Sequence, residues 1–356
     1  MNVTVFNGSP ADRAIVEPIA LAFAERRETG RVRWAYGGSG SAHPAIESIP
    51  LGTPVGPPEL LAGRIVAASG ADVEAALHPE TTDAVIVAGD RWDALACAMK
   101  AHMRRIPVAH IAAGDRAGCG VFVDESFRDA ISTMSRWLFA STDKHAARLR
   151  VMGLPGSILR TGLPSVDALV RWRRQHPDMR AADGPAVVLL HPEPWGESAA
   201  DLAQSIRLAM DHAGMRRVWL APNTDPGGDA LGAALIAAGE EVFSHRPPGE
   251  YAEMLVRARV VIGNSSSVVI DCAALGKPSI LVGERNRMRQ CGEGTMWEDA
   301  RSVERLSVVL RAMPGRCEPS DVWGDGTAAQ QIVSRIIADV QSGHRYVTGL
   351  HGTWLR

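Results

Sequence analysis

Lysine is almost missing from this 356-residue chain: only Lys100, Lys144 and Lys277 stand among its 38 basic residues. Against 40 acidic residues the formal net charge is −2, so the basic excess of a nucleic-acid surface is absent. A local group of arginines would still bind a small anion. Cysteine is scarce too. The five thiols, at 97, 119, 272, 291 and 317, are odd in number, widely spaced and form no CxxC pair. That argues against a disulfide framework or a zinc site and suits a reduced, cytoplasmic setting. No HExxH or acidic-loop spacing offers ligands to another metal, so no metal and no cofactor is expected. No apolar run approaches 18 residues, and the N-terminus opens on strand-like Val3–Phe6. The expectation is no membrane span and no signal peptide.

What is present is an ordinary globular composition, 46% hydrophobic and 22% charged. The length suits two domains of about 150–180 residues each. Short β-branched runs alternate with longer amphipathic stretches such as Ala11–Arg27, Trp92–Arg104 and Ser126–Met134. Val3–Phe6, Val32–Tyr36, Ala84–Ala88, Val108–Ala112, Trp137–Ala140 and Ile158–Thr161 read as buried parallel strands. After a polar stretch, Arg171–Pro185, read as a linker, the pattern restarts. Strands are expected at Ala186–Leu190, Arg217–Ala221, Glu241–Phe243, Val260–Ile262 and Ser279–Val282. The fold class is therefore α/β: two doubly wound Rossmann-like domains, 1–170 and 186–340, facing a central cleft, with a tail at 341–356. Ligands of such sheets sit beyond the carboxyl ends of the strands, and Asp90, Asp115, His191 and Asn264 each follow one.

The segment Val260–Arg289 carries the clearest chemistry. A strand ends in Gly263-Asn264, three serines open a helix, and Gly276-Lys277-Pro278 closes it before the next strand. Unpaired N–H groups, the helix dipole and the Ser265–Ser267 hydroxyls suit a phosphate or diphosphate. Plain N-caps are the alternative. A P-loop is excluded, because no upstream glycine or following hydroxyl residue accompanies Lys277. Gly8-Ser9-Pro10-Ala11-Asp12 follows the first strand and offers a second anion site. His191, at a strand end, suits phosphate donation or proton transfer, or a structural role. Asp90 and Asp124 both precede helix-like runs and serve equally as caps.

Several pieces occur in the order found in one family. They are Gly89-Asp90-Arg91-Trp92-Asp93, His110-Ile111-Ala112-Ala113-Gly114-Asp115 and Asp124-Glu125-Ser126-Phe127-Arg128-Asp129-Ala130-Ile131. Gly162–Asp167, His191-Pro192, Gly263–Ser267, Gly283-x-Arg285 with Arg289, and Gly324-Asp325-Gly326 follow. On these motifs the chain resembles the hydrolysing UDP-N-acetylglucosamine 2-epimerases. The runs HPEPWGE and GNSSS match the hydrolysing pattern. The resemblance implies a GT-B fold, a UDP-sugar as substrate and UDP as product, and a homodimer or homotetramer. It implies that Ser265, Ser266, Ser267, Arg289 and Gly8 hold the nucleotide diphosphate and that Asp271 grips the ribose. Asp90, Asp115, Asp124 and Glu125, with His191, would be catalytic, and Arg91 and Arg128 would orient the carboxylates. In the implied chemistry UDP leaves C1 and the C2 proton is lost, giving a glycal. Water then adds to C1 and a proton returns to the opposite face of C2.

Four positions depart from the family pattern: Pro10 for arginine, Asp115 for glutamate, Asp129 for histidine and Asp271 for glutamate. A related nucleotide sugar accounts for all four. The expected activity is cleavage of UDP-GlcNAc or a related UDP-N-acylhexosamine to UDP and the 2-epimeric free sugar. A GT-B glycosyltransferase, a non-epimerising nucleotide-sugar hydrolase and a catalytically silent nucleotide-binding protein are the alternatives.

Overall fold

The computed structural model describes residues 1–51, 58–118, 123–179, 184–193, 198–223, 227–244 and 246–343. The chain divides into two compact units. The first comprises Met1–Asp115, Val121–Asp167 and the segment from Thr327; the second comprises Arg116–Gly120 and Ala168–Gly326.

The first unit runs β1 (Asn2–Asn7), α1 (Pro10–Ala24), β2 (Arg31–Tyr36), β3 (Ser48–Pro50), α2 (Pro58–Ala67), α3 (Ala71–Ala76) and β4 (Ala84–Ala88). It continues through α4 (Trp92–Met103), β5 (Val108–Ile111), α5 (Val123–Met134), β6 (Trp137–Ala140), α6 (Asp143–Val151) and β7 (Ser157–Arg160). Among the described residues its parallel sheet has the order β3-β2-β1-β4-β5-β6-β7. Alternation along the strands divides the core between two faces. Val3, Val5, Ile86 and Ala88 pack with Val16, Ile19 and Phe23 of α1. Phe6, Val85 and Val87 pack with Cys97, Ala98 and Ala101 of α4. A parallel sheet covered on both faces needs apolar residues at nearly every position, which is why these strands read as continuous β-branched runs.

Helix α7 (Pro164–Gln175) leads out of the first unit. The second unit contains β8 (Ala186–Leu189), α8 (Ala199–Ala213), β9 (Arg217–Leu220), α9 (Gly228–Ala237), β10 (Val242–Phe243) and α10 (Pro248–Arg257). It goes on to β11 (Val261–Gly263), α11 (Ser266–Leu275), β12 (Ser279–Leu281), β13 (Thr295–Trp297) and α12 (Val303–Ala312). This sheet is also parallel, ordered β10-β9-β8-β11-β12-β13. Val188, Trp219, Ile262 and Ile280 share a core with Leu202, Ile206 and Met210 of α8. The fully buried indoles Trp34, Trp137, Trp219 and Trp323 each donate their N–H to a protein oxygen, at 2.7–3.1 Å. Among the described residues no helix is long and apolar enough to cross a membrane.

All the expected strands form, with ends displaced by one residue at most. The edge strands β3 and β13 were not expected. Three residues are too few for a period, and β3 ends in a proline. The expected linker is shorter than Arg171–Pro185, because α7 continues through Gln175; residues 180–183 lie outside the described ones. The final helix, α13 (Ala328–Gln341), falls within the expected 186–340 domain yet belongs to the first unit, as the resemblance implies of a C-terminal helix that leads back toward the first domain. Its face Ala329, Ile332, Val333, Ile336 and Ile337 completes the α1 side of the first core. Of the expected tail, 344–356 lie outside the described residues.

Asp167, at the end of the Gly162–Asp167 motif, fixes where α13 starts. Its buried carboxylate accepts from Ala328 N–H at 3.1 Å and Ala329 N–H at 2.9 Å. It thereby satisfies two N–H groups that a helix start leaves unpaired, at the positive end of the dipole. Asp167→Ala should cost about 1–2 kcal/mol of stability and Asp167→Asn less, read as melting temperature. An Ala variant that melts with the wild type would remove this role from Asp167.

Candidate functional site

The strand order reverses between β1 and β4 in the first sheet and between β8 and β11 in the second. At such points neighbouring loops leave in opposite directions and open a crevice beyond the strand ends. In both units the residues there are polar.

In the first unit, Ser9 caps α1: its hydroxyl accepts from Asp12 N–H at 3.2 Å and donates to Asp12 Oδ2 at 2.8 Å. Pro10 takes the first helical position, where its missing N–H costs nothing. From the β4 side comes Asp93, fully buried, with its carboxylate packed against Gly8. A Cβ on Gly8 would lie 2.5 Å from Asp93 Oδ1, so only glycine admits this approach. Arg91 reaches Asp93 Oδ2 at 3.2 Å and Asp12 at 4.0 Å. Two carboxylates thus share one arginine in a dry place. Burial, and then the Asp93 charge, push the Asp12 carboxyl up to about 7 against the lowering effects of Ser9 and Arg91. Burial also raises Asp93, with Arg91 opposing.

The exits of β4 and β5 meet α5 at Arg128, which is 2% exposed. Its guanidinium pairs with Asp90 Oδ2 and donates to the Ala112 carbonyl at 2.8 Å. Glu125, one turn earlier on α5, lies 3.9 Å from its Nε. Burial opposes the charge on Arg128, but Asp90, Asp115 and Glu125 more than offset it and raise its pKa. Asp115 is buried and faces His145 Nε2 at 3.2 Å. The carbonyl of Gly89 can only accept, so His110 Nε2, 2.8 Å away, carries the ring proton, and Nδ1 accepts from Ser132 at 2.9 Å. Burial holds His110 down to about 3, and it stays neutral. It fixes the turn before Asp90. The Asp90 side chain keeps 27% of its surface exposed, whereas Asp115 and Glu125 are enclosed.

In the second unit the fully buried Asn264 joins the exits of β8 and β11. Its Oδ1 accepts from His191 N–H, and its Nδ2 donates to the His191 carbonyl, both at 2.8 Å, and to Glu193 at 3.0 Å. Asn286 donates to the Asn264 carbonyl at 2.6 Å. Glu193 in turn accepts from the Glu284 and Arg285 amides, each at 3.3 Å. His191 Nδ1 accepts from Asn223 N–H at 3.1 Å, which leaves the ring proton on Nε2. Ser265 caps α11, accepting from Ser267 N–H at 3.4 Å. Asp271 lies farther along the helix and is not a solvated surface acid. It accepts from Tyr251 Oη at 2.9 Å. Burial raises its carboxyl, while hydrogen bonds from Ser267 and Tyr251 work the other way. Arg289 is half-buried, whereas Arg287 is exposed, paired to Glu284 and stacked 4.2 Å over Trp297.

Of the residues picked from sequence, Asp90, Asp115, Glu125 and Arg128 come together. Asp124 lies exposed in the first turn of α5. Arg91 orients Asp93 and Asp12 through direct contacts. Asp12, Asp93, His145, Glu193 and Tyr251 were not among the chosen residues. Asp93 stands in the GDRWD motif, Asp12 in the Gly8–Asp12 segment and Glu193 in the HPEPWGE run, so these three carry a visible signal. Lys277, set aside as a phosphate ligand, donates to the carbonyls of Ala258 and Gly315 and is structural.

Residues 62–337 match the family model described as UDP-N-acetylglucosamine 2-epimerase. The UDP-N,N'-diacetylbacillosamine 2-epimerase (hydrolyzing) of Legionella pneumophila is 27% identical over 266 residues, covering 71% of this chain and 70% of that protein. The UDP-N-acetylglucosamine 2-epimerase of Neisseria meningitidis is 24% identical over 258 residues, 68% of this chain and 67% of that one. The crystal structure of Neisseria meningitidis UDP-GlcNAc 2-epimerase bound to UDP-GlcNAc aligns with a TM-score of 0.74 at 15% identity, over 95% of this chain and 100% of that one. At that identity the likeness gives the fold: two parallel-sheet α/β units of the GT-B class, as the sequence predicts.

The Asp12 carboxyl generates a test by pH. The folded state keeps its proton up to about pH 7, whereas an unfolded chain releases it near 3.8. The folded state therefore binds more protons between those values, and Asp12 lowers stability progressively as pH rises through that window. Asp12→Asn should gain melting temperature over wild type across the same window and level off above it, by at most about 4 kcal/mol. A difference independent of pH would show that Asp12 titrates as an ordinary carboxylate.

Proposed function

The chain belongs to the UDP-N-acetylglucosamine 2-epimerase family, and from that premise we propose that it is a hydrolysing nucleotide-sugar 2-epimerase. Its substrate is UDP-GlcNAc or a related UDP-N-acylhexosamine, and its products are UDP and the 2-epimeric free sugar. The observation that carries this reading is the set of three carboxylates, Asp90, Asp115 and Glu125, around the buried Arg128. A group that departs with its bonding electrons leaves positive charge at C1, and carboxylates stabilise it. Loss of the C2 proton to a carboxylate then leaves a C1–C2 double bond. Water adds across it, its oxygen to C1 and a proton to the opposite face of C2. The acid–base work falls to Asp90, Asp115, Asp124 and Glu125. Arg128 holds Asp90, which keeps part of its surface open to solvent, and stands 3.9 Å from the enclosed Glu125.

The second unit is suited to the leaving group. The N-terminus of α11 with Ser265–Ser267, His191 Nε2–H and Arg289 offers donors for a diphosphate without a metal. Asp271, supported by Tyr251 and Ser267, retains lone pairs for two ribose hydroxyls. The relative named for diacetylbacillosamine supports a 2-acetamido sugar other than N-acetylglucosamine as a candidate. The reading includes a cytoplasmic location and a homodimer or homotetramer.

The decisive experiment is NMR of the purified protein in deuterated water with UDP-N-acetylglucosamine and with UDP-N,N'-diacetylbacillosamine. Free UDP and a 2-epimeric sugar carrying deuterium at C2 are expected. UDP release without deuterium at C2 would make it a simple hydrolase. Asp115→Asn keeps shape and loses basicity, so turnover should fall about 10²–10⁴-fold with UDP affinity and melting temperature near wild type.

A second outcome concerns the nucleotide. Arg289→Ala should raise the UDP dissociation constant at least about tenfold, since a charge-assisted contact contributes roughly 1.5–3 kcal/mol. By calorimetry the wild type should bind UDP more tightly than uridine, with the gap narrowing in salt. Equal affinities would remove the diphosphate role from this unit.

A further inference from the structure

Asp115 stands where the family motif has glutamate, so its carboxylate falls short by roughly one C–C bond, about 1.5 Å. Its surroundings hold it closely. His145 Nε2 lies 3.2 Å from Asp115 Oδ1, and the two residues are 2% and 4% exposed. His145 sits in the first turn of α6, where Thr142 caps the helix by accepting from His145 N–H at 3.3 Å. The loop after β5 is pressed directly onto that turn. Gly114, at φ +76°, has no room for a side chain: a Cβ would lie 2.7 Å from the His145 carbonyl and 2.8 Å from Leu149 Cγ. The approach of Asp115 to the imidazole is thus built into the backbone, not left to two rotamers. Another buried imidazole of this unit is different. His110 bonds to the Gly89 carbonyl and the Ser132 hydroxyl and holds a turn in place.

We propose that His145 is a positioning residue for Asp115, its Nε2–H holding the short carboxylate in the orientation that takes or returns the C2 proton. This rests on the 2-epimerase reading above. A carboxylate with two torsions in an enclosed site has few ways to be corrected once it turns away. A displacement of about 1 Å at a reacting group can cost 10²-fold in rate. No bond is made or broken at His145 in this scheme. The proton moves between C2 and Asp115, and the imidazole keeps its own.

The test compares wild type, His145→Ala, His145→Gln and the double variant His145→Ala with Asp115→Glu. UDP release from UDP-N-acetylglucosamine and UDP-N,N'-diacetylbacillosamine is the readout, with melting temperatures alongside. His145→Ala should lower kcat about 10²-fold and leave KM within about twofold, because positioning acts on the reacting group and not on nucleotide binding. The Gln amide still donates toward Asp115, so His145→Gln should stay within about fivefold of wild type. Lengthening the carboxylate in the double variant should recover at least about tenfold over His145→Ala. A His145→Ala variant with wild-type kcat would overturn the proposal while leaving the 2-epimerase reading intact. So would Ala and Gln variants that fall equally, or a double variant that recovers nothing. A wild type that releases no UDP from either substrate would overturn both.

Discussion

A guanidinium buried to 2% exposure among three carboxylates is the constraint on which the first unit's site depends. Arg128 projects from α5, pairs with Asp90 beyond β4 and donates to the Ala112 carbonyl beyond β5. One side chain therefore holds three elements at the same end of the sheet. Ala112 adopts φ +59°, a conformation that alanine rarely takes, and its carbonyl is turned toward Arg128. Removing one partner from a buried pair typically costs about 3–5 kcal/mol, because the other is left charged and dry. Asp90, Asp115 and Glu125 all act on this one guanidinium. Carboxylates so gathered are expensive to bury, and the proposed cationic transition state would draw on them.

The second unit solves a different problem with different groups. Its floor is built from amides: Asn264 bonds to both ends of the His191 peptide unit, and Asn286 bonds to Asn264. An amide fixes a loop without adding charge, so this floor does not offset the positive end of the α11 dipole. Glu193 is a nearby negative group, and it is engaged by the amides of Asn264, Glu284 and Arg285. The same strand-turn-helix geometry thus carries a cluster of carboxylates in one unit and a floor of amides in the other. Side chains at the switch point make the difference.

Much of this was legible in the sequence, for reasons that differ by element. Parallel strands covered on both faces must be apolar throughout, so they stand out as β-branched runs, and the residues just after them mark the ligand side. Ser265 caps α11, the alternative that the sequence offers for its serines, and Ser9 and Thr142 cap α1 and α6. What sequence could not reveal depended on pairing across distant elements. Asp12 and Asp93 are ordinary first-turn acids until β1 and β4 are placed side by side, with Gly8 letting them approach. His145 carries no local signal at all; its meaning comes from the β5 loop lying on α6. The return of α13 to the first unit is what the family resemblance implies, and Asp167 fixes where that helix starts.

The departures from the family pattern bear on whether the chain retains chemistry. Three of the four come with a local accommodation. Pro10 occupies the first position of a helix whose cap, Ser9, is intact. Asp115 has His145 against it, and Asp271 is held by Tyr251 with Ser267. For Asp129 the structure supplies no comparable explanation. Buried carboxylates burden a fold, since an apolar residue of similar volume is often neutral or more stable in their place. A protein that only binds a nucleotide has no use for Asp90, Asp115 and Glu125 crowded on one arginine, and none for Asp12 raised beside Asp93. Proton transfer at a sugar carbon does use such a cluster. It needs carboxylates that differ in exposure and proton affinity, held rigidly at the end of a sheet. The shortened acids and their new neighbours therefore favour the proposed epimerase over a protein that only binds a nucleotide.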